Sequence, residues 1–366
     1  RVGGRRPARD NYFTDGGVIL TGSTRLHMSV AGISARVDGA PTVGRADEIF
    51  IGDERVRRGY VDRVGGRRPA RDNYFTDGGV VIMKCFVCGG EMTPYFTKKI
   101  VVEYAVEYLD GLDTFEYERC GHCGLVVSKT LYEMSHDDWA KFNCAAHKDL
   151  FDGVIDRDVL DPKWRLRLEL QSKMFIELLK AGVFEYDWRT IDYGAGDGLL
   201  ADKLNGALEK SWLKKFDAYM EPRDENYLPP SEVIAGSFDF LTSSSVFEHL
   251  LGNRGDVDKV IGLVKSDGVM GLHTLICEEV PRDPEWHYLL SVPVHCTCWT
   301  NKAMAIVFEQ FGFKHCSYNV EAQMWLFFRN DDAWARLVEC RDRLTGTWVL
   351  DDRFVDYWKV KPYRTR

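Results

Sequence analysis

The chain has 366 residues, 45% hydrophobic and 28% charged, with 10 Trp, 16 Tyr and 20 Phe. This content excludes a chain that is disordered throughout, and no run is long and apolar enough for a membrane helix. The formal charge of −8 is a compromise between unlike parts. Residues 1–82 hold 14 Arg, no Lys and 10 acids, whereas 83–366 hold 34 basic and 46 acidic residues, a net of −12, with all ten cysteines. An acidic main body lacks the clustered Lys and Arg that neutralise a phosphate backbone, which argues against nucleic acid as partner.

Residues 1–18, RVGGRRPARDNYFTDGGV, recur unchanged at 63–80. Structural repeats drift on their surfaces and need about three units for stability. Two identical copies read instead as a duplication, and 1–82 as an Arg/Gly-rich extension that is not a packed domain. Within it, GRADEIFIGDERVRRGYVD at 44–62 looks faintly like the hinge motif of adenylate-forming enzymes, without that family's catalytic lysine.

Next come two CxxC pairs, Cys85/Cys88 and Cys120/Cys123, each followed by glycine. Two intervening residues let both sulfurs face one tetrahedral ion, and glycine relieves crowding where amides point at thiolates. The 31 residues between the pairs read as strands over 99–108 and 114–117 with DGLD as the turn, so a hairpin on two knuckles is expected. The reading is a structural zinc ribbon. Disulfides fit a secreted protein, and no secretory signal opens the chain; a redox CxxC needs a strand-to-helix setting that neither pair has. His122 reads as a bystander. Cys296 and Cys298 beside His295 read as half-buried strand cysteines rather than a second metal site.

From residue 164 the pattern changes to a helical stripe through Leu166, Leu168, Leu170, Met174, Phe175 and Leu178, ending at Ala181-Gly182. Then come a strand over 190–193, a glycine turn (Gly194-Ala-Gly196-Asp197-Gly198) and a helix. That is the strand–turn–helix of a nucleotide-binding α/β unit, in which glycine lets a ligand approach the backbone. Asp192, at the strand end, suits a cationic amine better than a pyrophosphate. A strand over 216–220 leads to Glu221, placed to accept both hydroxyls of a ribose. A strand over 238–244, a helix over 257–264, a fifth strand within 266–276 and a core strand over 324–328 follow.

In order along the chain, Asp192-Tyr-Gly-Ala-Gly-Asp-Gly198, Glu221-Pro222, Phe238-Asp239, Glu248-His249-Leu250, Lys265-Ser-Asp-Gly268, Trp286-His-Tyr288, Pro293-Val-His295 and Phe311-Gly312-Phe313 form a series. Over 83–330 this series resembles the class I S-adenosylmethionine-dependent methyltransferases, in the branch with an N-terminal zinc ribbon associated with sugar or glycan modification. The resemblance implies a Rossmann-like α/β sheet, mostly parallel with an antiparallel last strand, preceded by the ribbon. It implies S-adenosyl-L-methionine held by Asp192, Gly194, Gly196, Asp197 and Glu221, and structural Zn2+ on the four cysteines. His295, His249 and Tyr288 become candidates for taking a proton from the acceptor. The expected organisation is an extension (1–82), zinc ribbon (83–130), helical linker or lid (131–188), cofactor-binding domain (189–330) and C-terminal extension (331–366).

One departure from the family layout stands out. Only 16 residues separate Glu221 from Phe238, where the family fits a helix, a strand and a helix. The strand that contacts adenine is therefore expected to be short or absent, and Asp239 is expected to be structural. The expected function is methyl transfer to a small molecule, a nucleotide sugar or glycan, in the cytoplasm. The alternatives are a zinc-ribbon RNA methyltransferase and a non-catalytic zinc-stabilised binding module.

Overall fold

The computed structural model describes residues 74–77, 80–99, 112–151, 164–251, 254–289 and 294–351, all within one unit. The second copy of the duplicated segment supplies a hairpin, β1 (Tyr74–Asp77) and β2 (Val80–Met83), with Tyr74 opposite Met83. The first copy and the stretch at 44–62 lie outside the described residues.

The cysteine region forms β3 (Met92–Lys99), β4 (Thr114–Cys120) and β5 (Val126–Ser128). The outgoing strand of the hairpin thus runs over 92–99; the predicted stretch at 99–108 lies, apart from Lys99, outside the described residues. Register slips between Pro94 and Phe96, where proline cannot donate to the ladder. Helices α1 (Lys129–Glu133), α2 (His136–Phe151) and α3 (Trp164–Lys180) follow. In α3 the buried side is Gln171, Met174, Phe175, Leu178 and Leu179, whereas Leu166 is 55% exposed. Trp164 is also buried, and Leu168 and Leu170 pack half-buried against the core, so of the stripe only Leu166 faces away. Gly182, at φ +73°, lets the chain turn off the helix, with Val183 N donating to Leu178 O.

Beyond α3 come β6 (Thr190–Tyr193), α4 (Leu199–Leu208), β7 (Lys214–Phe216), β8 (Phe238–Ser244), α5 (Arg254–Ile261) and β9 (Val264–His273). Then follow β10 (Ile276–Cys277), β11 (Thr297–Thr300), α6 (Asn301–Gln310), β12 (His315–Asn319), β13 (Met324–Phe328), α7 (Asp331–Cys340) and β14 (Trp348–Asp351). One sheet has the order β14-β12-β13-β9-β8-β6-β7. Its strands β7, β6, β8 and β9 are parallel, whereas β13 pairs antiparallel to β9 and β12 antiparallel to both β13 and β14, so antiparallel pairing extends beyond the single last strand expected. The strand β14 comes from the segment read as a C-terminal extension and adds an edge to β12.

At the other edge, beyond β7, where the family layout would place a further strand, there is one bridge between Lys215 and Tyr227. The short 222–237 segment is the reason. Asp239, near the start of β8, accepts from Arg189 N at 2.8 Å and pairs with Lys265 Nζ at 2.6 Å, a structural role at the end of the strand remote from the glycine turn.

A second sheet has the order β10-β11-β5-β4-β3. The cysteine-bearing hairpin therefore shares its sheet with residues that follow β9. One buried cluster joins Phe86, Val87 and Leu125 of the cysteine region to Ile191, Leu241, Met270, Trp299 and Met304. Thr300 Oγ1 accepts from Ala303 N as the N-cap of α6 and donates to Cys123 O at 2.6 Å, so one hydroxyl starts a helix and grips the second CxxC turn.

Candidate active site and metal centres

The four cysteines converge. Cys85 and Cys123 sulfurs lie 3.6 Å apart, those of Cys88 and Cys120 3.4 Å apart, and all four fall within 4.8 Å of one another. A tetrahedron of thiolates about 2.3 Å from one zinc has edges of about 3.8 Å, so the set fits that ion. Each pair forms the same turn: Gly89 N donates to Cys85 O and Gly124 N to Cys120 O, at φ +72° and +77°. A side chain at Gly90 would come within 3.0 Å of Cys120 Sγ. Hydrogen bonding from Cys85 lowers Cys120 to about 4, and also lowers Cys123, while Cys85 is raised by the same contacts. Four crowded sulfurs cannot all ionise without a cation between them, the charge a bound zinc would supply. His122 is exposed and outside the cluster, as expected.

The glycine turn lies at the C-terminal end of β6. Gly194, Gly196 and Gly198 all have positive φ, and a Cβ at Gly194 would lie 2.3 Å from Val246 Cγ2. A Cβ at Gly198 would lie 2.7 Å from the Lys215 side chain. Gly194 N and Ala195 N both donate to Phe216 O, folding the turn over the end of β7. Asp197 Oδ1 accepts from Leu199 N at 3.4 Å, at the start of α4.

Two carboxylates address this turn. Asp192 is 3% exposed, and burial raises it to about 7; Asp217 adds to the rise, Lys215 opposes it, and Asp197 adds further. Asp217 accepts from Gly196 N at 2.9 Å through Oδ2 and from Tyr219 N and Met220 N through Oδ1. By taking those amides it ends β7 at Phe216, short of the strand predicted over 216–220. Glu221 is exposed, five residues beyond the strand, so the acid at the strand end is Asp217.

Lys215, fully buried, pairs with Asp202 of α4 and with Asp224 at 2.7 Å, and lies 5.0 Å above the Tyr227 ring. The Tyr227 hydroxyl donates to Gly196 O at 2.7 Å. Sequence reasoning passed over Asp217, Lys215 and Tyr227. The sequence carries a signal for Asp217, an acid directly after an apolar run, which marks the strand end at Phe216 rather than at Met220.

Farther along the same edge, the 3-10 turn Phe247–His249 after β8 carries Glu248 and His249, and His295 stands just before β11. The His249 and His295 ring centroids are 4.9 Å apart, and Tyr288 lies 4.4 Å from His295. A third ring, His147 on α2, lies 5.0 Å from His249. Burial lowers His295 to about 4 and His249 well below its ordinary value, so both are neutral at pH 7. Burial pushes the Tyr288 phenol well up. Its oxygen lies 3.2 Å from Thr274 Oγ1 and accepts from Leu275 N at 3.3 Å, which commits this candidate base to holding its neighbours. Glu248 is raised to about 7 by burial, against the pull of its own backbone amide, Thr274, Tyr288 and Arg167.

Cys296 and Cys298 are fully buried, and Cys296 Sγ donates to Leu250 O at 2.9 Å. Among the described residues no helix is long and apolar enough to cross a membrane.

No protein-family model matches the sequence, and no curated protein matches it. Solved structures similar to the chain include methyltransferases. A SAM-dependent methyltransferase from Aquifex aeolicus shares 16% identity over 46% of this chain and 92% of that one, at a TM-score of 0.30. An O-methyltransferase family protein from Burkholderia thailandensis shares 16% identity over 52% and 62%, at 0.37. The pyocyanin biosynthetic protein PhzM shares 13% over 51% and 63%, at 0.33.

Proposed function

We propose that the chain is an S-adenosyl-L-methionine-dependent methyltransferase acting on a small molecule, a nucleotide sugar or glycan, with structural zinc on Cys85, Cys88, Cys120 and Cys123. The observation that carries the reading is the glycine turn flanked by two carboxylates at the C-terminal edge of parallel strands. The cofactor has two positive centres, a sulfonium and an amine, and Asp192 and Asp217 offer negative charge to a cationic ligand. Gly194 and Gly196 leave backbone open to close approach, and Asp217, rather than the exposed Glu221, meets the ribose hydroxyls. When bound, the cofactor supplies the activated methyl group.

The acceptor side is the cluster of His249, His295, Glu248 and Tyr288 on the same edge. Each histidine presents one lone pair, and Tyr288 holds the neighbouring polar groups in place. Both rings are neutral at pH 7, so each offers its lone pair toward the acceptor side, although burial makes both weaker bases than a free imidazole. The net charge of −12 over 83–366 favours a small-molecule acceptor over RNA. Thermal shift with S-adenosylmethionine, alone and with a panel of nucleotide sugars, tests the proposal. A rise in Tm with cofactor and a further rise with one sugar class are expected. No response to cofactor would leave the non-catalytic reading in its place.

A further inference from the structure

We propose that Glu248, His249 and His295 form a second metal centre, distinct from the cysteine site, that binds a divalent first-row transition ion. One ligand atom from each of the three residues falls within 4.8 Å of the others. The ring geometry selects which nitrogens are available. His249 Nδ1 donates to Val294 O at 3.2 Å and His295 Nδ1 to Tyr288 O at 2.6 Å, which leaves Nε2 as the lone-pair atom of each ring. Imidazoles that ligate metals are oriented in this way, with the other nitrogen donating to a carbonyl or carboxylate. Glu248 receives matching support, because Thr274 Oγ1 donates to its Oε2 at 2.8 Å.

The two chain segments that bring these side chains together are stitched to each other. Cys296 Sγ donates to Leu250 O, Thr297 Oγ1 to Leu250 O at 2.6 Å, and Trp299 Nε1 to Phe247 O at 2.9 Å. The donor set is thereby held before any ion arrives. Two imidazoles and one carboxylate suit Zn2+, Fe2+, Co2+ or Mn2+, whereas Ca2+ and Mg2+ prefer sets made wholly of oxygen. Three protein ligands leave coordination positions open, unlike the closed cysteine site. Glu248 and His295 are buried and His249 is half-buried, so access is from the His249 side. Resting on the acceptor-side reading above, the open positions would take an acceptor through its oxygens, vicinal hydroxyls being the best match. Binding of the ion itself does not depend on that reading.

The test uses the full chain stripped of metal and titrated with Co2+, followed by visible absorption. Two equivalents are expected, one with intense thiolate charge transfer from the cysteine site and one with weak d–d bands only. His295→Ala should weaken the second equivalent by at least about a hundredfold and leave the thiolate signal intact. Thr274→Val, which removes only the hydroxyl that supports Glu248, should weaken it about tenfold. Saturation at one equivalent with the thiolate signature alone would overturn the inference. So would weak-band binding that neither variant alters. S-adenosylmethionine affinity, measured on the same samples by calorimetry, keeps the outcomes apart: absence of a second Co2+ equivalent in the parent chain, with cofactor binding intact, refutes the metal centre and leaves the methyltransferase reading standing.

Discussion

At the scale of single residues, Asp192 and Asp217 make predictions that separate them from Glu221. The Asp192 carboxyl is raised to about 7 in the fold, mainly by burial. Its folded pKa lies above the ordinary value, so its contribution to stability is fully present below about 4 and is lost as pH rises through about 7. A cationic amine needs the ionised form. Cofactor affinity should therefore rise with pH, by nearly tenfold per unit below about 7, and level off above it. Calorimetry between pH 5.5 and 8.5 checks this, and Asp192→Asn should flatten the profile. Asp217→Ala removes the acceptor of the Gly196 amide in the glycine turn and of the Tyr219 and Met220 amides after β7, and should weaken cofactor binding at least about tenfold. Glu221→Ala, on an exposed side chain, should change it less than about twofold. The reverse order would return the ribose role to Glu221.

At the scale of elements, the edge beside β7 explains how the fold manages with only 16 residues between Glu221 and Phe238. A full strand is replaced by one bridge, with Lys215 N donating to Asn226 O and Leu228 N to Lys215 O. Buried Lys215 then ties that segment to α4 through Asp224 and Asp202. Its partners are about half solvated, which limits the cost of losing the cation below that of a fully buried pair. Lys215→Met should destabilise by about 2 kcal/mol in urea unfolding and loosen the glycine turn, because Tyr227 both sits under the ammonium and bonds to Gly196 O. If cofactor affinity and stability both remain as in the parent, the bridge does not position the turn.

At the scale of the whole molecule, the cysteine region is continuous with the acceptor side. β5 pairs with β11, Ser128 N donates to Cys296 O, and Thr300 Oγ1 donates to Cys123 O. Metal in the cysteine cluster should therefore steady His295 although the two are parts of different motifs. One zinc per chain is expected at the cysteines. Cys120→Ser should abolish it, lower Tm by roughly 10 °C and speed amide exchange across residues 294–300. Loss of zinc with unchanged exchange there would show that the shared sheet does not couple the two.

Much of this was legible in the residues themselves. Spacing of two between cysteines, with glycine after each pair, forces one kind of turn, and TIDY followed by GAGDG can form little besides a strand and a tight loop. Such features are local: they depend on a few neighbours and on the sterics of glycine. Of the two cysteines read as half-buried strand residues, only Cys298 lies in β11, Cys296 stands just before it, and both are fully buried.

What the tertiary structure alone decided depends on residues far apart in the chain. Glu221 and Asp217 differ by four positions, and only the strand end at Phe216, fixed by Asp217 capturing amides, shows which acid reaches Gly196. Glu248, His249 and His295 converge because β11 folds back across the turn after β8. The cysteine hairpin joins β10 and β11 in one sheet because backbone edges pair by geometry, which side-chain patterns do not encode over such separations.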